Sequence, residues 1–206
     1  MNRSKAQGEL AQAMPLRVRD RIFATARELF SRQGIRAVGV DAITCGAGTN
    51  KMSFYRSFAS KDALICECVR AQQAEYWQWW AEVVAPYADP RAQIEALFAA
   101  SVRRGCESNA AGCSLNNAAV ELREAQHPAI ELVRAHKADV RRRFALLAGA
   151  AGAADAEALG DALLLLLEGG AASLLTFDRT DAPVHGLQAA VHVLLDAHLR
   201  TPTRDA

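Results

Sequence analysis

Between Val40 and Phe58 two short helical segments flank the tight turn Ala47-Gly48-Thr49. Each is well below the roughly 12–15 residues that an isolated helix needs in water. They must therefore pack on each other and on a longer supporting helix, which constrains the fold more than any other feature of the chain. The support lies just upstream. Ile22, Phe23, Ala26, Leu29 and Phe30 make one apolar stripe at helical spacing. Pro15 suits the start of that helix and Gly34 its end. The first short segment, about Val40 to Gly46, turns Val40 and Ile43 inward and carries Asp41 in its first turn. Asn50 caps the second, which reaches about Ser57. This second helix offers polar side chains at its start and apolar anchors, Phe54 and Phe58, at its end. That is the division expected of a helix-turn-helix reader, fixed to a core while presenting side chains to a DNA groove.

The remaining chain reads as helix after helix. Ser60-Lys-Asp-Ala opens a long helix to about Ala85, and further helices are predicted at about 91–105, 114–124, 128–148, 155–178 and 184–200. Sustained period-two runs and hairpin turns are missing, so strands are not predicted. The predicted fold is all-α: an N-terminal three-helix DNA-binding module over 15–60, then a larger helical body over 61–206, with about nine helices.

Charge divides the chain in the same place. Residues 1–64 carry 11 Lys and Arg against 5 Asp and Glu, whereas residues 65–206 carry 13 against 18. The near-neutral total of +1 thus hides a basic N-terminal module, suited to a polyanion, on an acidic body. A hydrophobic fraction of 51% argues against disorder. The most apolar stretch, Ala162 to Phe177, is broken by Glu168 and Gly169-Gly170 and reads as a buried helix, not a membrane span. No signal-peptide core is present at the start, so a cytoplasmic location is expected. Five cysteines, an odd number, imply no complete disulfide framework.

From Ile43 to Leu64 the chain reads ITCGAGTNKMSFYRSFASKDAL. Ala47, Gly48, Tyr55, Phe58, Ser60, Lys61 and Leu64, with Ala26, Leu29, Phe30 and Gly34 upstream, resemble the pattern of the TetR/AcrR-type transcriptional regulators. Three positions depart from it. Thr49 replaces an apolar turn residue, Met52 a glycine on the DNA-facing surface, and Gly39 a Ser or Thr cap. The resemblance implies a homodimeric, ligand-responsive regulator, a repressor, that binds a palindromic operator in double-stranded DNA and leaves it when a small apolar or aromatic effector binds. The DNA-binding candidates are Thr49, Asn50, Lys51, Ser53, Tyr55, Arg56 and Lys61. Lys51 and Ser53 could reach base edges or phosphates, while Tyr55 and Lys61 resemble the family's phosphate contacts.

For the body, the aromatic cluster Tyr76, Trp77, Trp79, Trp80 and Tyr87 suggests either a pocket or plain core. The ligand-binding candidates are Val69, Tyr76, Trp80 and Phe98. Trp77 and Trp79 cannot share the inward stripe of Tyr76 and Trp80, so at least one should be partly exposed or covered by a partner. The last two helices suit a two-fold four-helix interface. The dimer candidates are Leu163, Leu166, Leu167, Gly170, Leu174, Val191, Leu194 and Leu195. No spacing assembles a catalytic set or a metal site, and no cofactor or membrane partner is implied. A small helical enzyme, or a ligand-binding protein using the same pocket, is the alternative.

Overall fold

A computed structural model describes residues 16–107, 113–122, 126–178 and 180–199. Among these residues every regular element is helical. The helices are α1 (Val18–Gln33), α2 (Val40–Gly46), α3 (Lys51–Ser57), α4 (Lys61–Val84), α5 (Pro90–Glu107), α6 (Ser114–Leu122), α7 (Ala129–Ala150), α8 (Ala156–Ser173) and α9 (Leu187–His198). A 3-10 turn, Pro183–Gly186, leads into α9. Pro15 and Gly112, read above as helix punctuation, lie outside the described residues.

The expected caps are in place. The Asn50 side chain accepts a hydrogen bond from the Ser53 amide at 2.9 Å, and the Ser60 hydroxyl accepts one from Ala63 at 3.0 Å. Each satisfies an amide that the first helical turn leaves without a partner. Helix α8 is shorter than the periodicity suggested and stops at Ser173 instead of continuing to 178. There the Ser173 hydroxyl bonds back to the Gly170 carbonyl at 2.8 Å, and Leu175 and Thr176 close tighter turns on Ala172 and Ser173. Local side-chain bonding of this kind competes with continued helix.

Burial falls into three clusters. The first holds α1, α2 and α3 together with the start of α4: Ile22, Ala26, Val38, Ile43, Phe54, Phe58 and Leu64. Phe54 is fully buried, so truncating it to alanine would cost about 3–5 kcal/mol. The second joins Ile35, from the α1–α2 loop, to Ile65 and Val69 of α4, Leu115 and Leu122 of α6, and Val133 of α7. The third and largest packs α4, α5, α7, α8 and α9 around Trp80, Phe98, Phe144, Leu163 and Leu195. Helices α7 and α8 approach closely at Gly160, where a Cβ would sit 2.8 Å from the Ala145 nitrogen. No described helix is long and apolar enough to cross a membrane.

Candidate nucleic-acid interface

The turn between α2 and α3 is fixed by backbone and side-chain bonds. Gly48 takes φ +60°, a left-handed conformation in which glycine avoids the Cβ clash. Thr49 donates its amide to the Thr44 carbonyl at 2.9 Å. Arg21 reaches across from α1, its Nε donating to the Ala47 carbonyl at 3.1 Å and its Nη1 to Leu16 at 3.3 Å. Arg21 was not singled out in the sequence, since its place on the polar side of the α1 stripe looks like any solvated arginine.

With the turn fixed and Phe54 and Phe58 seated in the core, α3 presents Lys51, Met52, Tyr55 and Arg56 outward. Met52 is 78% exposed and Tyr55 57%. A seven-residue helix is about 10 Å long, which suits the roughly 12 Å width of a major groove. Lys51 reaches back to Asp41 on α2, Nζ to Oδ1 2.8 Å, and this hydrogen bond raises its pKa. Thr49 is half-buried and Asn50 exposed, with its amide oxygen committed to the cap.

Two candidates sit differently from expectation. Ser53 is only 9% exposed, and its hydroxyl accepts a bond from Arg56 Nη2 at 3.4 Å. It lies behind the outward row because the residue two positions after Lys51 has turned toward α2. Lys61 is half-buried, with Nζ donating to the Ile35 carbonyl at 2.8 Å and burial lowering its pKa. Its ammonium thus bridges α4 to the α1–α2 loop, leaving its other two protons for an external acceptor.

Beneath this module lies a cavity of about 590 Å³, a size suited to a small organic ligand. Helices α1, α4, α5, α6, α7, α8 and α9 contribute to its wall. Of the four ligand candidates, only Tyr76 lines it. Trp80 and Phe98 stand behind it in the core, both packed on Phe144, with ring centroids 5.0 and 5.7 Å away. Val69 borders a smaller cavity of about 370 Å³ instead. The larger cavity uses Trp79, not Trp80, with the Arg104 guanidinium 5.2 Å from the Trp79 ring centroid. Trp77 and Trp79 are both partly exposed, and Trp77 is covered by Arg143 at 4.1 Å.

The wall is more polar than an apolar chamber would be. Lys137 Nζ donates to Glu168 at 2.6 Å and approaches the Cys113 sulfur at 3.7 Å, and Asn116 also donates to Glu168. His136 is buried, its Nδ1 has no hydrogen-bond partner, and its pKa is pushed down to about 4 by burial. Burial also raises the Tyr76 hydroxyl pKa, so both groups stay neutral near pH 7. Lys137 and Glu168 escaped sequence reasoning because each lies on a helix rich in other charges or leucines, and only the fold pairs them across 31 residues.

Several dimer candidates are consumed by the protomer itself. Leu163, Gly170, Val191 and Leu195 are buried in the chain's own core, and Leu166, Leu167, Leu174 and Leu194 are half-buried. Gly170 packs under Leu187, whose Cδ2 lies 2.8 Å from where its Cβ would be. The outward row on α8 and α9 is another set: Leu165, Gly169 and Ala172, with Ala189, Val193 and Ala197.

Taken together, the geometry is that of a helix-turn-helix module built onto an all-helical body. The sequence signature of bacterial regulatory proteins of the tetR family matches residues 22–68. The chain is 34% identical over 83 residues to the HTH-type transcriptional repressor KstR2 of Rhodococcus jostii (strain RHA1), and 31% identical over 83 residues to KstR2 of Mycobacterium tuberculosis. The Rhodococcus match covers 40% of this chain and 41% of that relative, so it spans about two fifths of the repressor's length. The whole fold matches a crystal structure of a TetR-family transcriptional regulator from Streptomyces coelicolor. There the TM-score is 0.83 with 26% identity, covering 89% of this chain and 96% of the other. A TetR-type regulator from Streptomyces avermitilis matches with a TM-score of 0.76 and 28% identity, covering 89% and 98%. Residues 22–68 thus carry the tetR-family signature, and the fold over 89% of the chain is that of solved TetR-type regulators.

Proposed function

We propose that the chain is a cytoplasmic, effector-responsive transcriptional repressor that binds a palindromic operator as a homodimer. The supporting observation is the outward row Lys51, Tyr55 and Arg56 on a helix whose opposite face is locked by Phe54 and Phe58. Residues 15–60 form the DNA-binding unit in this reading and residues 61–206 the effector-binding and dimerisation unit. Lys51 and Arg56 read bases or phosphates, and the Tyr55 hydroxyl and Lys61 ammonium hold the backbone. Asn50 serves first as a cap, Thr49 borders the groove, and Ser53 acts by orienting Arg56. Repression, as opposed to activation, is favoured by the KstR2 relatives, which match over 83 residues and are named as repressors.

An effector in the larger cavity shifts the balance between two body conformations that space the reading helices differently. Only an effector with unequal affinity for the two conformations can do so. The test is selection of random double-stranded DNA by the purified protein at about physiological salt, followed by sequencing. A palindromic site is expected, with half-sites about one helical turn or a multiple apart. Absence of enrichment from folded, dimeric protein that has been unfolded, stripped of bound molecules and refolded would overturn the reading.

A further inference from the structure

The carboxylates around the larger cavity already have cations. Glu75 accepts both terminal nitrogens of Arg27, at 2.7 and 2.6 Å. Glu168 holds Lys137 at 2.6 Å, and Glu28 faces Arg32 at 3.3 Å. Arg104, by contrast, lines the same cavity with no carboxylate partner among the described residues. Its guanidinium lies over Trp79, which fixes its plane and leaves its edge donors open to an incoming acceptor. The wall beyond it is apolar, with Leu167 of α8, Leu174 just past the end of α8, and Leu187 of α9. A second observation also points to a polar guest: the buried His136 on the cavity wall keeps Nδ1 unpaired, a state that costs free energy unless something meets it.

We propose that the cavity takes an amphipathic carboxylate, its carboxylate gripped by Arg104 and its aromatic or alicyclic body resting on Trp79 and the leucines of α8 and α9. This rests on the reading of the cavity as the effector site and names the chemistry of the effector. A planar fork matches a carboxylate with two parallel hydrogen bonds, which a neutral amide cannot accept in the same way. A fully apolar effector would leave Arg104 and His136 without partners, and a cationic one would meet Arg104 with like charge. A hydroxyl on the body suits His136, since it can donate or accept and so fits either tautomer of the neutral ring.

The experiment uses matched pairs of ligands that differ only in charge: 2-naphthoate with 2-naphthamide, and biphenyl-4-carboxylate with its amide. Binding to the full chain is read by calorimetry and by quenching of tryptophan fluorescence. The carboxylate of at least one pair is expected to bind about tenfold more tightly than its amide, an advantage that shrinks as salt is added. In Arg104→Met the advantage of acid over amide should fall below about twofold. Equal affinity of acid and amide in the wild-type chain, or an advantage that survives Arg104→Met, would overturn the carboxylate assignment and leave the effector site standing. Binding of no member of either pair would count against the effector site itself, and the assignment would fall with it. The salt comparison needs no substitution, so the outcome does not depend on the variant folding.

Discussion

His136 stands edge-on to Tyr76, ring centroids 4.8 Å apart, and tilted against Trp77 at 5.0 Å. Burial is the main cause that pushes its pKa down to about 4, and the neighbouring Lys137 ammonium acts in the same direction. Asp139 and Glu168 oppose it, and Arg143 lies close by over Trp77. The folded chain therefore binds this proton less readily than the unfolded chain, where histidine titrates near 6.5. The stabilisation from keeping the ring neutral is fully present above pH 6.5 and is lost as pH falls toward 4. In full it amounts to about 3 kcal/mol. Comparing urea midpoints at pH 7.5 and 4.5 for wild type and His136→Phe checks this. The wild-type chain should lose much more stability than the variant on acidification, and an equal loss would remove His136 as the responsible group. The caps at Asn50 and Ser60 were legible one residue at a time, because a cap is a local chemical fit between a side chain and an amide three residues on. The state of His136 was not, since it depends on Tyr76 and Trp77 sixty residues upstream.

At the scale of elements, α6 is one connection between cavity and DNA-binding module, beside α1 and α4. Its first turn lines the cavity through Ser114 and Leu115, and Asn116 donates to Glu168. At its other end Glu121 accepts the Arg36 amide at 2.9 Å, in the loop between α1 and α2. The carboxylate lies so close that a Cβ on Gly34 would come within 2.9 Å of it. A guest that disturbs Glu168 would therefore pull on one end of a short rigid helix whose other end holds the reading module. Glu121→Ala removes the hold. We expect DNA affinity without effector to fall by about 1 kcal/mol, as for loss of one exposed charge-assisted hydrogen bond. The factor by which effector weakens DNA binding should also shrink severalfold, while effector affinity without DNA changes less than about twofold. Titrating DNA with and without effector, and effector alone, gives all three quantities. An unchanged coupling factor would show that the signal bypasses this contact. The helices themselves were readable from their apolar spacing and punctuation, and so was the two-helix reader. The Glu121 contact was not, because its partners are 85 residues apart and nothing in either segment marks the other.

At the scale of the whole molecule, α8 and α9 show why a face for a second copy is hard to read from sequence. Helix α8 carries the run Leu163 to Leu167, apolar on every side, so periodicity cannot tell which leucines face the chain's own core. The structure spends Leu163 inward and leaves Leu165 72% exposed. On α9 the same division buries Val191 and Leu195 and leaves Val193 70% exposed. Around these two side chains the outer faces carry small residues: Gly169 and Ala172 on α8, Ala189 and Ala197 on α9. Small residues let a second pair of helices approach closely, and Leu165 and Val193 supply apolar area that an isolated protomer would leave in water. A two-fold axis through this face would make the patch meet itself, as an isologous dimer requires, and would set two reading helices against two half-sites. Leu165→Glu combined with Val193→Glu should therefore yield a folded monomer at micromolar concentration, since neither side chain belongs to the protomer's core. Leu146→Glu, at a residue on α7 that is 61% exposed, serves as the comparison and should leave the dimer intact. Sedimentation velocity distinguishes the two states. DNA titrations then extend the test: the monomer should bind a full palindrome little better than a half-site, whereas the wild-type dimer gains the affinity of two linked contacts. Should the double variant remain a dimer, the face between copies lies elsewhere on the body. The exposed row on α8 and α9 would then need a different partner.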